Sequence, residues 1–143
     1  MSTATPVYLD LAYRNESTML VGRWMRSVMP FELHRGYAAV LDLADERQCR
    51  YWLLDIRRRS SVDAADVHWM LEEFYPQLQP RLGGTTYLAF LMAPHQLAGV
   101  LANAAIPPLS ITDGRPYRIE RFTEEHSAVA WLGECQRQDS TPG

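Results

Sequence analysis

The chain is 143 residues long and 47% apolar, with 14 basic and 17 acidic side chains for a formal net charge of −3. Every basic residue is an arginine, which excludes Schiff-base chemistry, a P-loop lysine and a lysine general base; the negative net charge argues against a broad electrostatic grip on nucleic acid or an anionic membrane. This length suits one domain with one core, and Cys49 and Cys135 form no CxxC or Cys/His cluster, as expected of two small buried groups in a reducing cytoplasm.

Met1 to Pro6 is polar, lacks the order of a signal peptide and is expected to be disordered. Val7, Leu9, Leu11 and Tyr13 alternate with other side chains at the period of a half-buried strand. Arg14-Asn15-Glu16-Ser17 is a polar turn and Thr18 to Met25 resumes strand-forming residues, so 7–25 predicts a hairpin. Pro30 suits a helix start, and Leu33, Tyr37, Val40, Leu41 and Ala44 follow as a helical stripe. Tyr51 to Ile56 is apolar on both parities, the pattern of a central strand covered on two faces. Ser60 to Asp63 has the spacing of a capping box. Val67, Met70, Leu71, Phe74 and Leu78 form a second stripe, which Pro76 should kink or restart and Gly83-Gly84 should end. Thr86 to Met92 is a further buried strand. Pro94 to Ala105 is a helix presenting Leu97, Ala98, Leu101 and Ala105, followed by a loop over 106–114 with Asp113-Gly114 as its turn. Tyr117 to Phe122 is a last strand, and Thr123 caps a helix that buries Ala128, Trp131, Leu132 and Cys135. Glu124 and Glu125 favour its positive end.

The order β-β-α-β-α-β-α-β-α predicts a single α/β domain over 7–136, a mixed sheet of about five strands with packed helices, and a flexible tail at 137–143. No segment reaches the length of a membrane span, so the expected location is the cytoplasm.

This element string resembles the STAS fold of bacterial anti-sigma-factor antagonists and STAS-like proteins of similar length. The likeness rests on the hairpin at 7–25, on Trp52-Leu53-Leu54-Asp55 leading into a serine-capped helix, and on the ending Phe122-Thr-Glu-Glu to Ala130-Trp131-Leu132. The resemblance implies a non-catalytic signalling module that docks a protein partner or a second copy of itself. It also implies a serine, here Ser60 or Ser61, phosphorylated by a partner kinase in the loop before the second helix. That loop reads Asp55-Ile56-Arg57-Arg58-Arg59-Ser60-Ser61-Val62-Asp63, without the family's Asp-Ser-(Ser/Thr)-Gly signature and with three arginines in its place.

The residues themselves make this loop the foremost candidate site. It follows a central strand and precedes a helix, where open α/β sheets place ligands, and Asp55, Arg57, Arg58, Arg59, Ser60 and Ser61 would suit an anion or a partner. The alternative is a serine cap with solvated or paired arginines, and an Asp55 that accepts structural hydrogen bonds. Trp24, Trp52, Trp69, Tyr75, Tyr87 and Phe90 either line a pocket for an apolar ligand or form core. A small-molecule binding domain, for an apolar or anionic ligand, with a layout similar to the CRAL-TRIO lipid-binding architecture, is therefore the alternative function. Trp24, Met25 and Met29 are candidates for a homodimer contact at the hairpin edge. His34, His68, His95 and His126 make no HxxxH or HExxH pattern, so no metal is expected. Arg81 to Thr86 lacks phosphate-loop spacing, and no GxSxG or catalytic-cysteine context occurs, so neither a catalytic residue nor a cofactor is assigned.

Overall fold

The alternating segments at the start of the chain do form a hairpin. The computed structural model describes residues 5–107 and 116–140; in it β1 (Leu9–Arg14) pairs antiparallel with β2 (Met19–Trp24), Leu9 opposite Trp24. Beyond the hairpin the chain alternates helix and strand. α1 (Pro30–Arg47) leads to β3 (Tyr51–Asp55), and α2 (Ala64–Trp69) passes through a π turn at Met70–Phe74 and a 3-10 turn at Tyr75–Gln77 into α3 (Leu78–Leu82). Then come β4 (Thr86–Leu91), α4 (Pro94–Ala102), β5 (Tyr117–Phe122) and α5 (Glu125–Ser140). The expected restart at Pro76 is the 3-10 turn, because proline removes a helical donor, and Gly83 ends α3 at φ 76°.

Among the described residues the fold is α/β, with one five-stranded sheet in the order β1-β2-β3-β4-β5 and parallel pairing from β2 to β5. Because strands are added in sequence order, the three crossover segments all pack on one face. There Leu20 and Trp24 of β2, Trp52 and Leu54 of β3 and Leu88 of β4 meet Leu33, Tyr37, Phe74 and Leu78 in the larger core. The opposite face belongs to α5: Ala128 and Leu132 cover Met19, Val21, Leu53, Ala89 and Leu91. This two-sided burial explains why β3 is apolar at both parities.

Three expectations are corrected. The second helix starts at Ala64 after Asp63, not at a serine cap, since Ser60 is committed to another loop. The tail expected to be flexible from 137 continues α5 to Ser140, held where Asp139 accepts from Arg50 and from the Tyr51 hydroxyl. α4 turns a different face inward: Gln96 and Val100 are buried and Leu101 is 71% exposed. Hydrogen bonds to the Gln96 amide set that rotation, which side-chain hydropathy does not register. The ends expected to be disordered and the loop at 106–114 lie largely outside the described residues, at 1–4, 141–143 and 108–115.

Candidate functional site

The β3–α2 loop leaves the carboxyl end of a central parallel strand, where hydrogen-bonding groups of the backbone face outward. Its three arginines diverge. Arg57 grips Asp55 through Nε to Oδ1 (3.0 Å) and Nη2 to Oδ2 (2.9 Å), and its own backbone N–H donates to Oδ1 (3.1 Å). Arg23 lies beside Asp55 in the parallel register and donates from Nη1 to Asp55 Oδ2 at 3.0 Å and to Glu125 Oε1 at 2.7 Å. Arg23 thereby ties together β2, β3 and the first turn of α5. Burial alone would raise the Asp55 carboxyl, but the bonds from Arg57 and Arg23 outweigh that and hold it below the usual carboxylate range. Glu125 is also lowered, chiefly by Arg23.

These groups border a surface groove that includes Asp10, Asp55 and Glu125 with Arg23, Arg57 and Arg58. Three carboxylates face three guanidiniums, so the groove has no surplus charge to draw an anion. Arg58 is exposed, with Nη1 3.5 Å from the Met25 sulfur. Arg59 turns the other way, is 8% exposed, and pairs with Asp66 at 3.2 Å beneath the crossover helices.

Ser60 and Ser61 are both exposed. The backbone N–H of Ser60 donates to Ser27 Oγ (2.8 Å), and the two hydroxyls are 2.9 Å apart. This bond joins the β3–α2 loop to the β2–α1 loop, whose side chains include the exposed Met25 and Met29; the exposed Phe31 follows in the first turn of α1. Met25 and Met29 thus stand at the surface as expected. Trp24 does not: at 1% exposure it is sealed between Tyr8, Tyr37 and Gly36, because its strand is interior to the hairpin edge.

On the other side of β3 lies a cavity of about 90 Å³, open on one side, between the carboxyl half of the sheet and α1, α2 and α4. Its wall is mostly apolar, and it holds the Arg59–Asp66 pair and Arg121. Burial raises the Asp66 carboxyl despite Arg59 and lowers the Arg121 guanidinium. Of the aromatic residues singled out in the sequence, Tyr75 and Phe90 line this cavity. Trp24 and Trp52 are core, Trp69 stacks on His34 at 4.0 Å, and Tyr87 sits on the α5 face against Tyr51 and Trp131.

Sequence reasoning missed two residues. Arg121 continues the parity of Tyr117 and Ile119, so an arginine on the apolar side of a strand was readable from the period of two. Gln96 sits at the third position of a proline-started helix, the acceptor place of a capping box without its serine partner; its Oε1 accepts from the Ala93 N–H at 2.7 Å. Its Nε2 reaches the carbonyls of Ile56 (2.9 Å) and Arg59 (2.7 Å). Arg81 is held by Asp42 and Asp45, consistent with a structural turn before β4.

Among the described residues no group of three His, Cys, Asp or Glu is placed to hold a metal, Cys49 and Cys135 are both buried free thiols, and no helix is long and apolar enough to cross a membrane. Comparison with protein-family models and with curated proteins finds no match to this chain.

Proposed function

We propose that the protein is a non-catalytic interaction module of STAS type, working in bacterial cytoplasmic signalling by docking a protein partner or its own copy. The observation that carries this reading is the Ser27–Ser60 bond, which joins the loop of Ser60, Ser61 and Arg58 to the loop of exposed Met25 and Met29, with Arg58 against Met25 and exposed Phe31 following in α1. Exposed apolar side chains grouped around modifiable hydroxyls suit a docking face that a phosphate can alter. A phosphoryl group on Ser60 would replace the hydroxyl contact with Ser27 and set a dianion near Arg58. Intact mass of the protein purified from its native host, before and after phosphatase, tests the switch. A phosphatase-sensitive phosphate mapped to Ser60 or Ser61 is expected; an unmodified mass in every growth condition removes it. Self-association is tested by size-exclusion chromatography with light scattering, where a monomer at high concentration would sink the homodimer through β1 and the adjacent methionines.

A second reading, a small-molecule binding domain, is favoured by the cavity beneath the crossover helices. A stoichiometric extra mass in native mass spectrometry after gentle purification supports it, and a clean apo mass counts against it.

A further inference from the structure

Among the described residues Arg121 is the cation of the cavity without an ion-pair partner. It stands on edge strand β5, level with Phe90 in the register, on the same face as Ile119. Among the described residues it forms no ion pair, whereas the cavity's other charges, Arg59 and Asp66, neutralise one another. The described lining of the cavity therefore carries one surplus positive charge. The rest of its wall is mostly apolar: Ile56, Val67, Met70, Phe90, Val100 and Ile119 contribute to it beside the tyrosines Tyr37 and Tyr75. A guanidinium in such surroundings is poorly hydrated, so a carboxylate that brings two acceptors in one plane restores what burial removes.

Resting on the small-molecule reading, we propose that this cavity binds a short-chain monocarboxylate, its carboxylate forked on Arg121 and its hydrocarbon body between Phe90, Met70 and Val100. Three features select that class. A single unpaired guanidinium matches one negative charge, so a phosphate dianion is left half-neutralised in an apolar wall. The apolar lining rewards a hydrocarbon body over a polar one. The size limits that body: a cavity of about 150 Å³ takes the six carbons of benzene, so about 90 Å³ suits a hydrocarbon body of roughly three to four carbons beyond the carboxylate.

The test is a titration of the full chain labelled at its isoleucine and methionine methyl groups, followed by nuclear magnetic resonance. The probes are pentanoate, pentanol, decanoate and inorganic phosphate. Pentanoate is expected to shift the methyls of Ile56, Met70 and Ile119 saturably, with a dissociation constant in about the millimolar range or tighter. Pentanol, decanoate and phosphate are expected to bind more weakly. Arg121→Met should weaken pentanoate by about tenfold or more, the loss of a charge-assisted hydrogen bond. Arg121→Lys should fall between, and Arg137→Met, on the exposed side of α5, should match the unmodified chain. Should Arg121→Met not fold, the probe series on the unmodified chain still decides. Pentanol or phosphate binding as well as pentanoate would overturn the carboxylate assignment and leave a ligand cavity standing. Tighter binding of decanoate would overturn the short chain. No shift with any probe would overturn both this inference and the small-molecule reading.

Discussion

The side-chain amide of Gln96 donates to the main-chain carbonyl of Arg59 at 2.7 Å, while the Arg59 guanidinium turns inward to Asp66. One buried glutamine on α4 thus sets the path of the loop that separates the two candidate surfaces. Its second bond, to the Ile56 carbonyl, holds the start of the same loop.

Replacing Gln96 should therefore do more than thin the core. Gln96→Leu keeps the volume, strips the Arg59 carbonyl of its side-chain donor and the Ala93 N–H of its acceptor, and leaves the Ile56 carbonyl with only the Arg59 N–H, each lost partner costing about 1–3 kcal/mol. Urea denaturation should show a stability loss in that range or above, and hydrogen exchange should speed at Arg57 to Ser60. Unchanged exchange there would mean that the loop is held by other contacts.

The Arg23, Asp55 and Glu125 network predicts an acid-side pH dependence. Both carboxyls are lowered in the folded protein, Asp55 by Arg57 and Arg23 against its burial and Glu125 chiefly by Arg23. A lowered carboxyl adds stability above its unfolded value, about 4, which is lost as pH falls through the folded value. Arg23→Met should thus lower stability at pH 7 by about 1–3 kcal/mol and flatten the fall between about pH 5 and 2. Chemical denaturation across that pH range measures both effects. A variant curve parallel to the parent would show that the network does not titrate with folding.

Gly36 and Trp24 make a close approach that no other residue allows. A Cβ on Gly36 would fall 2.2 Å from Cη2 of Trp24, an atom of a fully buried ring. Gly36→Ala must displace that ring, at a cost of about 1–3 kcal/mol. The gain that alanine usually brings to a helix interior is about 1 kcal/mol and works against this. Thermal unfolding should show the variant less stable than the parent; a more stable variant would mean that Trp24 repacks freely.

Charge placed on the exposed apolar side chains should separate docking from folding. Met29 and Phe31 are 59% and 63% exposed, so Met29→Glu with Phe31→Glu should alter stability by only about 0.5 kcal/mol per site. If this face contacts a second copy, the pair should abolish any dimer seen by light scattering. A dimer that persists in the double variant uses another surface.

Strand and helix order, the hairpin and the two-sided burial of β3 were legible in the sequence. Each follows from local periodicity: side chains alternate on a strand and recur every three to four residues on a helix, whatever the partner. The same local view grouped Arg57, Arg58 and Arg59 as one anion site, since they are consecutive. Only the tertiary structure decided that they part, because successive residues leaving a strand point to opposite faces. There Asp55 and Glu125 claim Arg57 on the α5 side, where they also hold Arg23, while Asp66 claims Arg59 beneath the helices. Arg121, Val100 and Asp66 are far apart in the chain, and their meeting around one cavity depends on strand order and helix rotation. The arginine composition was visible from the start; that Arg121 is the guanidinium set in the cavity without a carboxylate partner among the described residues is a property of packing.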